Sequence, residues 1–233
     1  MTIISLLVVG AFALTTGNSW ANSGHQDSIE RLQLSSETLR AMIHTPDKGI
    51  PEEVLSHAKC IVVVPHLVKG GFVIGGEHGR GVATCRTKGG WSSPAFVSIG
   101  GGSWGLQIGV EGVDLVMLVM NDHGLQQLLS SKFKVGADAS ASAGPVGRHA
   151  SAGTDWKMDS EILTYSRSKG VFAGISLDGA VVEQDKDSTR AIYGKDPSIH
   201  DVLSGQVSAP QSTLTFLKTI SRAAHTSAVA EAK

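Results

Sequence analysis

Charge, cysteine and long apolar runs are all scarce in this chain. Only 18% of its 233 residues are charged, and 20 Lys and Arg against 21 Asp and Glu leave a formal net charge of -1. A protein that binds nucleic acid needs a strongly basic surface, so this balance argues against that class of partner. Beyond residue 14, no apolar run reaches the roughly 20 residues that a membrane-spanning helix requires.

The amino-terminal residues 3–14 form an apolar stretch without charge. The stretch is too short to span a membrane, and Ser19 and Ala21 are small residues at the two positions that a signal peptidase reads. The pattern predicts a signal peptide over residues 1–21 and an exported protein that is periplasmic, associated with the outer envelope, or secreted. No Lys or Arg precedes the apolar stretch, which leaves a buried N-terminal strand as the alternative.

The chain has two cysteines, Cys60 and Cys85, and export would place them in an oxidising compartment. In an oxidising compartment an even pair is expected to form a disulfide. The alternative is a pair of buried free thiols on separate strands. Two cysteines without a cluster of Cys and His are too few for a structural zinc site, and the nine histidines are scattered. We therefore expect neither a metal nor a cofactor.

Glycine is abundant, with 28 residues, and favours tight turns and β-structure over long helices. Residues 29–44 and 214–224 have the apolar spacing of amphipathic helices, and the residues between them predict successive strands. The predicted strands include residues 60–64, ended by Pro65, and residues 71–75, 132–144 and 162–167, and a hairpin turn is expected at residues 88–90. The expected architecture is one α+β domain over residues 29–225, with a curved antiparallel sheet or barrel-like core and a helix at each end. A disordered leader, residues 22–28, and a disordered tail, residues 226–233, complete the predicted organisation.

Residues 100–105, GGGSWG, satisfy two enzyme motifs at once. They fit the dinucleotide pattern G-x-G-x-x-G and, around Ser103, the nucleophile elbow G-x-S-x-G. Both motifs require a helix directly after the glycines, whereas residues 106–120 have the pattern of strands. A glycine-rich β-turn without catalytic residues is therefore the favoured interpretation. The enzyme alternative is a serine hydrolase built on Ser103, with Asp138 or Asp178 and His200 as its partners.

Several basic residues lie beside glycine turns or flank an aromatic residue in the sequence. Cations close to exposed backbone amides can bind phosphate oxygens, which makes these residues candidates for contact with lipid headgroups. The alternative for each is an ordinary solvated charge. The candidate lipid-binding residues are Lys69, Arg80, Lys132, Lys134 and Arg148.

Short segments spread in order over residues 39–203 resemble the SYLF family of lipid-binding domains. Because many segments match in sequence order, the resemblance is more specific than either enzyme motif. The matching segments are KGGF (69–72), GRGV (79–82), WSSPA (91–95), GLQIG (105–109), GPVGR (144–148), YSRSKGVFAG (165–174), LDG (177–179) and YG (193–194).

The resemblance implies phospholipid binding without catalysis. Phosphoinositides are the ligands of eukaryotic members, and some fungal relatives also bind and bundle actin. Eukaryotic members use a basic amphipathic N-terminal helix at the membrane, whereas residues 29–44 carry Arg31 and Arg40 offset by Glu30 and Glu37. We therefore expect binding to phospholipid or an anionic membrane surface in general, with no actin partner for an exported protein. A structural or protein-interaction module of the cell envelope is the remaining alternative.

Overall fold

A mostly antiparallel β-sheet forms the frame of the molecule. The computed structural model describes residues 19–45, 49–71, 74–104, 109–146, 160–168, 171–173 and 177–230. Within these ranges the strands are β1 (Cys60–Gly71), β2 (Ile74–Thr87), β3 (Gly90–Trp91), β4 (Ala95–Trp104), β5 (Gly109–Val119), β6 (Lys132–Lys134), β7 (Ala141–Ala143), β8 (Ile162–Ser168), β9 (Val171–Ala173) and β10 (Val181–Gln184).

Eight strands follow one another across the sheet in the order β6-β10-β4-β2-β1-β5-β8-β7, while β3 pairs with β2 and β9 pairs with β8. Neighbours are antiparallel except β7 and β8, which run parallel. The sheet curls into a half-barrel, and helices lie at both ends of the chain. This architecture confirms the predicted α+β fold with a curved, mostly antiparallel sheet.

Three helices of the described residues have a side-chain cap at the N-terminus. The side chains of Asn121, Asp185 and Ser198 accept hydrogen bonds from the backbones of Gly124, Ser188 and Asp201, respectively. All three caps are of the residue types that favour helix N-termini. The described α-helices are α1 (Ser19–Ile43), α2 (Glu52–His57), α3 (Asp122–Leu129), α4 (Lys186–Tyr193), α5 (Ile199–Leu203) and α6 (Leu214–Ala230).

Apolar side chains alternate between the two faces of the sheet, and both faces are buried around β1. Cys60 and Val62 join one core cluster, which includes residues of α3 and α5. Ile61 and Val63 join a second cluster, which includes residues of α1, α2 and α6. We call the first side the disulfide face and the second the helix face. Burial on both faces explains why residues 61–64 of β1 are an unbroken β-branched run.

A β-bulge interrupts β1 at Pro65 and His66. The sequence predicts that Pro65 ends the strand, but β1 continues to Gly71 and the register shifts by one residue between Val64 and Leu67. His66 has a positive φ of 54°, a rare conformation for a residue other than glycine. A bulge leaves a residue unpaired, so it accommodates a proline, which has no N–H to donate. The prediction of a strand end was therefore wrong.

The terminal helices are longer than the sequence predicts. Helix α1 begins at Ser19 and so contains residues 22–28, which we expected to be a disordered leader. Ser28 is fully buried there, and the His25 ring nitrogen Nδ1 lies 2.8 Å from the carbonyl oxygen of Ala191. Helix α6 continues to Ala230, past the predicted start of the tail. Among the helices of the described residues, none has both the length and the hydropathy to cross a membrane.

Two β-segments also differ from the prediction. Residues 71–75, expected as a separate strand, contain the end of β1 and the start of β2, which form one long hairpin. Residues 132–144, expected as one strand, form β6 and β7 separated by a turn at Gly136. Gly136 has a positive φ of 83°, and a Cβ there would lie 2.6 Å from the Asp178 carboxylate. A turn with this close approach selects glycine and ends β6.

Candidate lipid-binding surface

Three of the five candidate cations lie on the helix face of the sheet. A row of directly paired residues crosses four strands, from Lys132 through Glu183 and Ser98 to Arg80. Paired residues point to the same side of a sheet, and Lys134 is two positions along from Lys132 on the same strand. Phe133, between the two lysines, is buried in the opposite core cluster. We call Arg80, Lys132 and Lys134 the helix-face cations.

The two lysines of this group are open to solvent. Lys132 lies 3.4 Å from the carboxylate of Glu183, with side chains that are 64% and 50% exposed. Exposed pairs of this kind contribute about 0–1 kcal/mol, so a phosphate group can compete for the lysine. Lys134 is exposed and has no ion-pair partner within the described ranges. Both ammonium groups are thus accessible to an anionic ligand.

Arg80 separates two shallow clefts on the helix face. One has a volume of about 460 Å³ and is lined by His78, Glu183 and the exposed Lys186. The other has a volume of about 320 Å³ and lies between α1 and the bulge of β1. Lys186, at the start of α4, is a further cation beside Arg80, although no glycine turn lies next to it in the sequence. A helix N-terminus signalled by Asp185 would have pointed to it.

A buried ionic network anchors this surface to α1. The Arg31 guanidinium donates to Asp185 Oδ2 at 2.9 Å and to Ser188 Oγ at 3.0 Å. Arg80 Nε lies 3.4 Å from the same carboxylate oxygen, and the Arg31 guanidinium sits 5.7 Å from the centre of the Phe96 ring. Asp185 therefore accepts from two arginines while it caps α4.

Burial and hydrogen bonding act in opposite directions on the pKa of Asp185. Burial alone would raise the pKa of this carboxyl, but hydrogen bonds from Ser188 and Arg31 outweigh burial and hold the pKa below its usual range. Burial, together with the charge of Arg80, lowers the pKa of the Arg31 guanidinium. An arginine stays protonated under these conditions, so the network carries two positive charges and one negative charge.

Lys69 lies on the other side of the sheet. It follows Leu67 by two positions, and Leu67 belongs to the core cluster of the disulfide face. The Lys69 ammonium pairs with Glu77 at 2.9 Å, and the two side chains are only 11% and 4% exposed. Simple alternation from Ile61 would place Lys69 on the helix face, but the extra residue in the bulge turns it over. The fifth candidate, Arg148, lies outside the described residues.

Ser103 lies inside β4 and pairs with Gly75 of β2. A nucleophile elbow needs a sharp turn from a strand into a helix at the serine, whereas β4 continues to Trp104 and the next described element is β5. The described backbone around Ser103 therefore has no elbow. In the same described ranges, no group of three or more His, Cys, Asp and Glu side chains is placed to hold a metal ion.

A disulfide joins Cys60 of β1 to Cys85 of β2, with a sulfur–sulfur distance of 2.07 Å. The two residues are directly opposite each other in the ladder. The sequence predicts a further strand between them, but β1 and β2 are immediate neighbours in one hairpin. The bond closes the open end of this hairpin and belongs to the core of the disulfide face.

Comparison with known proteins places this arrangement in a family. The family model described as "Ysc84: Las17-binding protein actin regulator" matches residues 100–223. The SH3 domain-containing YSC84-like protein 1 of Rattus norvegicus is 32% identical over 167 residues, which are 71% of this chain and 49% of that protein. Protein YSC84 of Saccharomyces cerevisiae is 33% identical over 168 residues, 70% of this chain and 36% of that protein.

An SH3 domain-containing protein of Schizosaccharomyces pombe is 36% identical over 165 residues, which are 69% of this chain and 38% of that protein. The chain thus spans about half the length, or less, of these curated relatives. The family model covers more than half of the chain, and this chain therefore belongs to the Ysc84, or SYLF, domain family.

Proposed function

We propose that this protein binds anionic phospholipid through the helix-face cations and catalyses no reaction. The observation that carries the proposal is the placement of Arg80, Lys132 and Lys134 on one face. The two lysines lie on an edge strand and are exposed. Each lysine close to an anionic bilayer contributes about 1 kcal/mol of attraction. Lys186 adds a charge beside Arg80.

The spread of charge on this surface favours binding to anionic lipids as a class and not the recognition of one specific headgroup. Glu183, Asp185 and Asp187 line the same cleft as Arg80 and Lys186, so the positive charge is spread out instead of being gathered in one pocket. A polyphosphorylated headgroup would need several converging cations with geometry fixed by hydrogen bonds. We therefore propose phosphatidylglycerol-like surfaces as the ligand class and give phosphoinositides no special role.

Vesicle co-sedimentation tests the proposal. The full chain should sediment with phosphatidylglycerol vesicles and not with phosphatidylcholine vesicles, because only the former are anionic. Binding should weaken steeply as salt rises, since exposed charges are screened over about 8 Å at physiological ionic strength. Equal binding to both vesicles, or binding that ignores salt, would exclude the helix-face cations as its source.

We also propose that the protein is exported and begins, when mature, at Asn22. The apolar residues 3–14 and the small residues Ser19 and Ala21 support this, and so does the Cys60–Cys85 disulfide, because disulfides persist in oxidising compartments. Cleavage after Ala21 would trim three residues from α1 and leave its buried part intact. N-terminal sequencing of native protein tests the proposal, and an intact Met1 would contradict it.

A protein-interaction role is the second candidate. The family description names binding to Las17 and the regulation of actin, and two of the relatives described above are named for their SH3 domains. If this chain shares that property, it should co-sediment with actin filaments in the absence of lipid. One experiment distinguishes the two candidates, because charge reversal at Lys132 and Lys134 should strongly weaken vesicle binding and should leave binding to a protein partner at another surface unchanged.

A further inference from the structure

A pocket with a volume of about 810 Å³ lies at the end of β2 that carries Cys85. None of the helix-face cations lines it. Its walls come from the turn between β2 and β3, from α3, and from the end of α5. This volume falls within the range of about 300–1,000 Å³ that is usual for small-molecule sites.

The walls of the pocket are mainly apolar. Leu125 and Leu129 are four residues apart on α3, so they lie on the same side of the helix, and both are only partly buried. Leu203 of α5 adds a third leucine, and Cys85 of the disulfide lines the same pocket. All four side chains belong to, or pack against, the core of the disulfide face. The pocket is therefore a water-accessible extension of that core.

The charge around the pocket has one sign. Arg86 and Lys88 line it, and no acidic residue is among its described lining residues. The Arg86 guanidinium points to the helix face, where it donates to the carbonyl oxygens of Leu55 and Ala58 and lies 4.6 Å from the centre of the Trp91 ring. Lys88 therefore supplies the positive charge at the pocket. Lys88 is exposed at the tip of a two-residue turn, and its ammonium has no ion-pair partner in the described part of the chain.

An apolar wall with a cation at one side fits an amphiphile that has a chain and an anionic head. We propose that this pocket binds a single-chain anionic amphiphile such as a long-chain fatty acid. The chain lies against Leu125, Leu129 and Leu203, and the carboxylate accepts hydrogen bonds from Lys88. This site is on the disulfide face, so it is independent of the helix-face cations and of vesicle binding.

Calorimetric titration of the delipidated full chain with palmitate tests the proposal. We expect saturable binding of one palmitate per chain, with markedly weaker binding of octanoate, which has a shorter chain, and of hexadecanol, which has no charge. Lys88→Glu should weaken palmitate binding by about tenfold or more, because it removes one hydrogen bond to a charged group. Leu125→Trp should weaken palmitate binding, because the larger side chain narrows the apolar wall against which the chain lies.

Lys132→Glu is the matched control, since it reverses another exposed lysine, which lies on the helix face. It should leave palmitate binding unchanged while it weakens vesicle binding, and Lys88→Glu should do the reverse. Thermal unfolding of each variant, read by circular dichroism, establishes that the chain still folds. No saturable binding to the wild type, or equal affinity in the wild type and in folded Lys88→Glu and Leu125→Trp variants, would overturn the proposal.

Discussion

The Arg31 guanidinium and the Asp185 carboxylate form a buried ion pair of 2.9 Å between residues that are 154 positions apart. Their side chains are only 7% and 10% exposed. One partner lies in the middle of α1 and the other caps α4, so the pair fixes the N-terminal helix against α4. Arg80 contacts the same carboxylate, so its position depends on this pair.

Asp185→Asn should destabilise the protein by about 3 kcal/mol at neutral pH, because it leaves Arg31 buried without its counter-ion. The pKa of Asp185 is lowered in the folded state, so its contribution is fully present above the unfolded pKa of about 3.9 and is lost as the pH falls further. Urea unfolding should therefore show a large difference from the wild type at pH 7 that narrows below about pH 4.

Asp122→Asn provides the control for this prediction. Asp122 pairs with Lys59 at 2.7 Å, but its side chain is 82% exposed. Exposed pairs contribute about 0–1 kcal/mol, so the unfolding free energy should hardly change. A loss as large as that of Asp185→Asn, or a difference for Asp185→Asn that does not depend on pH, would contradict the account of the network.

The Cys60–Cys85 bond predicts the result of a thiol titration. Unfolded, unreduced protein should contain no free thiol. Replacing both cysteines with alanine should lower the unfolding free energy by roughly 3 kcal/mol, since the bond closes a loop across a separation of 25 residues. Two titratable thiols in protein purified from its native compartment would refute the bond.

Gly81 and Gly102 both lie in strands and should respond differently to alanine. At Gly81 a Cβ would collide with the carbonyl oxygen of Val63 and would lie 2.7 Å from a methyl group of Val64. At Gly102 no atom lies within 4 Å of such a Cβ. Gly81→Ala should cost about 1–3 kcal/mol in chemical denaturation, and Gly102→Ala should be near neutral. Equal effects would show that β1 and β2 are not packed as described.

Ser103 should be unreactive. Because β4 continues through this residue, we expect no labelling of the wild-type protein by a serine-reactive fluorophosphonate. Ser103→Ala should keep the wild-type affinity for anionic vesicles. Labelling that disappears in the variant would revive the hydrolase alternative.

Local patterns predict much of the sheet. The sequence predicts a strand over residues 162–167, and β8 covers Ile162–Ser168. It also predicts a hairpin turn at residues 88–90, where β2 and β3 are joined by two residues. Pro65 misleads the prediction, because whether a proline ends a strand or enters a bulge depends on the neighbouring strands, which local sequence does not reveal.

The candidate site is less predictable than the fold. The sequence identifies Arg80, Lys132 and Lys134 as candidates because they lie beside glycines or an aromatic residue. It does not reveal that they share a face, which follows from the strand order β6-β10-β4-β2, where strands distant in sequence are neighbours. Lys69 lies on the opposite face of the sheet because the bulge shifts the register of β1 by one residue. The network of Arg31 and Asp185 is also a tertiary contact, although Asp185 followed by Gly194 signals the short helix that it caps.

Vesicle binding by the double variant Lys132→Glu/Lys134→Glu tests the central claim most directly. Loss of two attractive lysines alone should cost about 2 kcal/mol, which is a roughly 30-fold lower affinity for phosphatidylglycerol vesicles. The two glutamates should lower the affinity further by repulsion, and the salt dependence should flatten. Lys88→Glu, which changes an exposed lysine elsewhere, should bind these vesicles like the wild type. If the double variant binds as tightly as the wild type, with the same response to salt, the helix face is not the lipid-binding surface.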